Sequence, residues 1–386
     1  MAKSYLSKHV SRLKPSGIRR FFEIAATMEE VISLGIGEPD FDSPPAVIEA
    51  GIQSLRKNQT HYTSNRGLMI LRQALCDHIE KLYRVHYAPE SEVVFTVGGS
   101  EALHIACAAI LDPGDEVILP TPCFVSYQGV ISLAGGVPVE IPSRMENNFI
   151  PVPEELERAV TKKTKAILLN FPSNPTGAVA DKETLIAIGK IAEKHDLIVI
   201  SDEIYDRLVY NDCHVCFPAL EGMRERTILI GGFSKDYAMT GWRIGFACAP
   251  EALMKGIARV HQYIIMTAPT MAQYGALEAL NSGESDVQNM IVEYDRRRKL
   301  IVQGLNYIGL PTFEPCGAFY AFPKVDVTGL DDETFAEKLL QEKHVAVVPG
   351  SAFGSGGEGF VRCSYATAFD QLEEALDRID QFVKSL

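Results

Sequence analysis

The chain has 386 residues, 46% hydrophobic and 23% charged, with 37 basic against 50 acidic side chains and a net charge of −13. That length and apolar content suit two or three domains with a sizeable core and exclude a disordered or collagenous chain. The acidity argues against a broad nucleic-acid or anionic-membrane surface, while leaving room for one local anion pocket.

The first twenty residues carry Lys3, Lys8, Arg12, Lys14, Arg19 and Arg20 and no acid. Such a stretch has the composition of a transit peptide, but residues 21–26 run straight into a helical pattern. We read it as an ordered terminal arm of a cytoplasmic protein. The eight cysteines stand at irregular intervals, unlike a small secreted disulfide scaffold, and read as core thiols of a reducing compartment. No apolar stretch is long enough to span a bilayer.

From about residue 65 to 280, short apolar runs alternate with amphipathic stretches. Helical spacing appears over 68–83 and over 101–111, where Ala102, Leu103, Ile105, Ala106, Ala109 and Ile110 form one stripe. Strand-like runs fall at 93–97, 116–119, 166–170, 197–201 and 227–231. They are β-branched and apolar on both faces, as expected of a mostly parallel sheet covered by helices. The helical pattern over 182–195 fits a right-handed crossover. After residue 285 a charged helix over 287–307 precedes strands at 317–322, 345–348 and 360–364, with helices at 333–343 and 369–384. The expected fold is α/β: a mostly parallel sheet sandwiched by helices, with a smaller α+β domain. The boundaries we expect are 1–45 for an arm and part of the small domain, 46–284 for the large domain, and 285–386 for the small C-terminal one. No Pro/Ser linker separates them, so they should pack closely and share a cleft. There is no internal repeat.

Open parallel sheets bind ligands beyond the carboxyl ends of their strands. After 93–97 come Gly98-Gly99-Ser100 and a helix start, a backbone suited to an anion. After 166–170 comes the rigid turn Asn174-Pro175-Thr176-Gly177. After 197–201 come Asp202 and Tyr205, and after 227–231 come Ser234-Lys235, with Arg243 eight positions beyond the lysine. Each has a bland reading alone: Asp202 could cap a turn, Lys235 could be solvated, and Asn-Pro often starts a turn. Their joint occurrence at corresponding strand ends points to one site.

With these residues in place, the sequence resembles the class I and II aminotransferases among the fold-type I pyridoxal-phosphate enzymes. The resemblance runs from about residue 31 to 362. It is carried by Leu34-Gly35-Ile36-Gly37-Glu38-Pro39-Asp40-Phe41, by Asn174-Pro175-Thr176-Gly177, by Ser201-Asp202-Glu203-Ile204-Tyr205, and by Ser234-Lys235 with Gly241-Trp242-Arg243. The resemblance implies that 46–284 binds pyridoxal 5'-phosphate and that Lys235 is the Schiff-base lysine, which then moves a proton as general acid and base. It implies that Asp202 pairs with the pyridine nitrogen, and that Tyr205 and Asn174 bond the phenolic oxygen and lower the pKa of the Schiff base. Ser234, Arg243, Gly99 and Ser100 would hold the phosphate, and Phe124 would stack on the ring. Arg362 would grip the substrate carboxylate with its planar fork, beside Gly37 and Asn174. Tyr62 would reach the phosphate of a neighbouring subunit, which implies a homodimer with shared sites.

The implied activity moves an amino group from an L-amino acid to a 2-oxo acid such as 2-oxoglutarate. The donor would be aromatic, aspartate-like or N-acetyl-diaminopimelate-like. The arm segment Pro15-Ser16-Gly17-Ile18-Arg19-Arg20-Phe21-Phe22-Glu23 loosely resembles that of family branches acting on aromatic or N-acetyl-diaminopimelate substrates. Some aspartate-preferring bacterial relatives carry a lysine where this chain has Ser100, which weakens a strict dicarboxylate preference. The alternatives are a C–S or C–X lyase or a synthase on the same scaffold, and a non-catalytic regulatory protein, against which Lys235 and Asp202 both speak. We expect no metal: Cys213-His214-Val215-Cys216 lacks the second ligand pair a zinc site needs, and the histidines form no cluster. Gly35-Ile36-Gly37 lacks the third glycine of a dinucleotide loop. Glu203 reads as a structural carboxylate.

Overall fold

The computed structural model describes residues 5–7, 10, 11, 13, 28, 30–210 and 214–386. The arm segment 15–23, the helical pattern 21–26 and Cys213 lie outside the described residues.

A seven-stranded sheet forms the frame. Its strands in chain order are β2 (Val93–Thr96), β3 (Glu116–Thr121), β4 (Val137–Pro142), β5 (Thr164–Asn170), β6 (Ile198–Asp202), β7 (Thr227–Gly232) and β8 (Gly245–Cys248), while β1 (Ile32–Ser33) belongs elsewhere. The spatial order is β2-β8-β7-β6-β5-β3-β4, parallel throughout except for β8, which runs antiparallel between β2 and β7. Strands with apolar residues at successive positions need cover on both faces. One face, through Ala166, Leu168, Ile200 and Ile228, packs on α3 (Gly98–Ile110), α4 (Ser126–Leu133) and α7 (Glu251–Ile264). The opposite face is covered by α1 (Pro45–Arg56), α2 (Met69–Tyr83) and α8 (Thr270–Ser282) at one end. At the other end it is covered by α5 (Pro153–Ala159) and α6 (Lys182–Lys194), which meet Ile167, Leu169 and Val199. Helix α6 starts where Asp181 accepts the Thr184 N–H at 2.7 Å, a cap worth about 1 kcal/mol.

Two strands differ from the sequence expectation. β4 carries Pro138 and Pro142, which speak against a central strand. It lies at the sheet edge, where a missing N–H costs little. β8 is four residues long and opens on Gly245; a Cβ there would lie 2.7 Å from Gly98 C and Gly99 N. Close approach of two backbones demands glycine, and local strand propensity does not report it.

The second group of elements includes α9 (Glu284–Ile308), β9 (Tyr320–Ala321), α10 (Asp332–Lys343), β10 (Val345–Ala346), β11 (Val348–Pro349), β12 (Val361–Ser364) and α11 (Phe369–Ser385). β11, β12 and β9 make an antiparallel sheet, packed with α9, α10 and α11 around Leu339, Phe335, Leu372 and Phe382. The run expected as one strand over 345–348 divides at Val347: β10 pairs with β1 in parallel, and β11 joins β12. The 317–322 run contributes only Tyr320–Ala321 to the ladder. Pairing of Ile32 with Val345 ties the N-terminal segment to this group, and the Ser364 N–H donates to Leu34 O at 2.6 Å. Among the described residues, no helix is long and apolar enough to cross a membrane.

Candidate active site

Strand register brings the chemistry to one edge. Asn170 is opposite Asp202, so β5 and β6 end level, and β7, with Ile230 opposite Asp202, runs two residues further to Gly232; the loops that follow all leave from this edge. A cavity of about 840 Å³ opens there. Gly99, Ser100 and Phe124 line it from the side of α3 and α4; Asn174, Asp202 and Tyr205 form its floor. Ser234, Lys235 and Arg243 come from the loop after β7, and Gly37 and Arg362 from the second group of elements.

The turn into α3 is built for an anion. Gly98 has φ +72°, and a Cβ on it would lie 2.7 Å from Arg243 Nη2, so glycine lets the guanidinium lie against the turn. Arg243 Nη1 donates to Thr240 O at 2.9 Å, which leaves Nη2 on the cavity side free of that bond. With the helix N–H groups, the Ser100 hydroxyl and the buried Ser234, this forms a cradle suited to an anion.

Asp202 is buried at the end of β6. Its Oδ2 accepts from the Tyr127 hydroxyl at 2.8 Å and its Oδ1 from the Ile204 N–H at 3.2 Å. Burial pushes the carboxyl up to about 6, against the pull of those two donors. The Asn170 side chain donates to Asp202 O at 3.0 Å and accepts the Asn174 N–H at 3.0 Å, locking the Asn-Pro turn to the floor. Phe124 stands edge-on to Tyr127, with ring centroids 5.6 Å apart.

Lys235 Nζ donates to Gly37 O at 2.6 Å and, among the described residues, pairs with no carboxylate. Burial brings the amine down to about 8; Glu38 opposes the shift, and the Arg362 and Arg243 charges add to it. Glu38 is itself held by the Thr240 hydroxyl. Arg362, buried on β12, donates from Nη1 to Asn174 Oδ1 at 2.8 Å and from Nη2 to Gly35 O at 2.6 Å. Its Nε is buried without a partner, a donor in want of an acceptor.

Tyr62 is the expected site residue that does not reach the cavity: it is 79% exposed on a loop held to the 266–270 turn, with Thr270 Oγ1 donating to His61 O at 2.8 Å. Asn170, Tyr127 and Tyr320 are among the cavity residues not singled out from sequence. Asn170 closes a predicted strand and Tyr127 follows Phe124 by one helical turn, so position alone could have flagged both. Tyr320 sits in an aromatic run that reads as core, and only sheet register reveals its place. Glu203 faces away from the chemistry. It accepts from Ser201 Oγ at 2.7 Å and Phe217 N at 2.9 Å and pairs with His214 at 2.5 Å. Cys216 is buried nearby, and no group of three or more metal-binding side chains occurs among the described residues.

A buried carboxylate, an enclosed amine and an arginine-lined glycine turn around one cavity define a cofactor-dependent enzyme of the α/β class. The chain belongs to the aminotransferase class I and II family, whose sequence model matches residues 29–379. It is 47% identical over 382 residues to the aspartate aminotransferase of Pyrococcus abyssi, covering 98% of each chain. It is 45% identical over 382 residues to the aromatic-amino-acid aminotransferase 2 of Thermococcus litoralis, again covering 98% of each. The crystal structure of the aromatic aminotransferase from Pyrococcus horikoshii superposes with a TM-score of 0.91 at 45% identity, over 95% of this chain and 99% of that one. The protein is an aminotransferase, and its cofactor is pyridoxal 5'-phosphate. The residues present fit that group: the Gly98–Arg243 turn would take a phosphate, the cavity floor would offer an acid to a pyridine nitrogen, and the amine would suit an aldehyde.

Proposed function

We propose that this cavity carries an amino group from an aromatic L-amino acid to a 2-oxo acid such as 2-oxoglutarate, with the cofactor held on Lys235 as a Schiff base. The observation that carries this reading is the Lys235 amine, held by a backbone carbonyl and brought down to about 8. A lysine paired with a carboxylate would stay protonated; this one is poised to be a nucleophile near neutral pH. The cofactor supplies an electron sink that acidifies the Cα–H bond of a bound amino acid. Lys235 would take that proton from Cα and deliver it to the cofactor's former aldehyde carbon. Asp202 offers its charge to the pyridine nitrogen, with Tyr127 and Ile204 fixing its two oxygens. Tyr205 and Asn174 serve the phenolic oxygen, and Phe124 stacks on the ring. Gly99, Ser100, Ser234 and Arg243 hold the phosphate. Arg362 takes the substrate carboxylate beside Gly37, which its unpartnered Nε supports.

The donor class follows from the remaining lining. Among the described residues, the cations on the cavity wall are Lys235, Arg243 and Arg362, and this reading already occupies all three. Ile36, Leu103 and the acid Glu38 also line the cavity, which suits an aromatic side chain. With 2-oxoglutarate as acceptor, tyrosine or phenylalanine should exceed aspartate by about 10²-fold in kcat/KM. Glutamate formation measured across a donor panel checks this; equal or better use of aspartate overturns the aromatic assignment, and free ammonia or thiol in place of glutamate overturns transamination.

The pH dependence of cofactor capture has a definite sign. Condensation needs the neutral amine, and its deprotonation has moved from 10.5 down to about 8. The capture rate of pyridoxal 5'-phosphate by the apoprotein should therefore rise through pH 8 and level off above it. Stopped-flow absorbance checks this, and a rate that climbs only near ~10.4, as for a free lysine, contradicts it.

We also propose a homodimer in which Tyr62 serves the phosphate of the partner's site. Exposed Tyr62, Tyr263, Ile265, Met266 and Met271 gather on the loop and helix ends that the Asn65–Met266 bond of 2.6 Å ties together. Solvent-exposed apolar residues in such a group mark an interface. Light scattering should give twice the chain mass, and Tyr62→Ala should weaken cofactor binding by about tenfold, the worth of one charged hydrogen bond. A monomer with full activity contradicts this.

A further inference from the structure

Tyr320 holds an unassigned place in the cavity. On β9 it stands opposite Ser364, so its side chain shares a face with Arg362 two residues earlier on β12. It is 1% exposed and touches three of the residues assigned above. Its hydroxyl is 2.7 Å from the Tyr205 hydroxyl. Its ring lies under Arg362, with Cζ 4.6 Å from the centroid. Its hydroxyl also lies where a Cβ on Gly37 would fall, 2.4 Å away, and the Gly37 carbonyl is the acceptor for Lys235. Only glycine at 37 allows this approach.

The proton count decides what the hydroxyl pair does. A tyrosine hydroxyl has one proton to donate. If Tyr205 gives its proton to the cofactor's phenolic oxygen, its own oxygen is left to accept, and Tyr320 is the donor within reach. Burial raises both phenols above the ordinary tyrosine range, so both keep their protons at working pH.

We propose that Tyr320 is a positioning residue of the reaction: its hydroxyl donates to Tyr205 and fixes the direction of the Tyr205 proton, while its ring braces Arg362. The inference rests on the roles given above to Tyr205 and Arg362. A donor that itself accepts a hydrogen bond becomes a stronger donor. Tyr320 thereby strengthens the hold of Tyr205 on the phenolic oxygen, which lowers the pKa of the Lys235-bound cofactor. One side chain thus links cofactor tuning to the substrate-carboxylate grip.

The test is an absorbance titration of holoenzyme against pH for the parent, Tyr320→Phe, Tyr205→Phe and the double variant. The charged groups facing Lys235 are Glu38, Arg362, Arg243 and Asp202, and none is altered in these proteins. Tyr320→Phe keeps the ring and should raise the apparent pKa by about 0.5–1 unit, with KM for the amino donor within about twofold of the parent. Tyr205→Phe should raise it further, and the double variant should add nothing beyond Tyr205→Phe. Tyr320→Leu, which removes the ring, should raise KM by about 5–30-fold. If Tyr205→Phe shifts the titration and Tyr320→Phe does not, the proposal for Tyr320 fails alone. If neither shifts it, the role of Tyr205 fails first. Additive shifts in the double variant would show that Tyr320 acts other than through Tyr205.

Discussion

Lys235→Ala should lower kcat by about 10⁴-fold or more, with the loss persisting at saturating amino acid and cofactor. The size follows from two functions that end on one nitrogen. On the proposed reading the neutral amine captures the aldehyde and, once released, carries the Cα proton. Gly37 O holds Nζ at 2.6 Å, and the Tyr205 and Phe319 rings lie 6.0 and 5.8 Å from it. Truncation therefore leaves an amine-sized gap in a formed cavity rather than a collapsed one. Small primary amines added to the variant should restore part of the rate for that reason, whereas Lys235→Arg should not, because a guanidinium stays protonated. Steady-state rates with and without added amine check this; a variant retaining a tenth of parental kcat would remove Lys235 from the chemistry.

Asp202→Asn is expected to have the second-largest effect. The substitution keeps the side-chain size but replaces a charge by a dipole at the cavity floor. A buried, oriented charge lost from its partner is worth about 3–5 kcal/mol, so kcat should fall by about 10²–10⁴-fold. Binding of the cofactor should survive, since the phosphate cradle and Lys235 are untouched. The sign of the titration supports the role. Burial, opposed by the Tyr127 and Ile204 donors, brings Asp202 up to about 6, still ionised at neutral pH, and a cation on the pyridine nitrogen would stabilise the charge further. Tyr127 and the Ile204 N–H both donate to this carboxylate, so an amide in its place must turn one N–H towards a donor. Rapid-mixing kinetics with bound cofactor quantified by absorbance separates the two quantities. Unchanged kcat would remove the electron-sink role from Asp202.

What the sequence showed of this fold and site depended on how local the physics was. Strands β5, β6 and β7 are short, β-branched and apolar on both faces, a pattern that a covered parallel sheet produces with little dependence on distant residues. Asp202 and Lys235 were legible because strand ends are where such sheets bind ligands, and parallel pairing brings those ends to one edge. The prolines of β4 obscured a strand that tolerates them only because it is an edge. Gly245 looks like a breaker until the Gly98–Gly99 backbone is seen against it. Tyr320 lies between Phe319 and Phe322 and differs from them by one hydroxyl, whose partner is 115 residues away in sequence. Tyr62 is exposed within one chain, and its proposed role depends on a second.

Holoenzyme treated with borohydride, digested and mapped by mass spectrometry addresses the central claim most directly. Reduction fixes the cofactor to whichever amine carries it. The account predicts a single pyridoxyl-phosphate adduct on the peptide containing Ser234-Lys235, absent when a substrate amino acid is added first to release the lysine. An adduct on any other lysine, or none on Lys235 in substrate-free holoenzyme that is active when assayed, would contradict it.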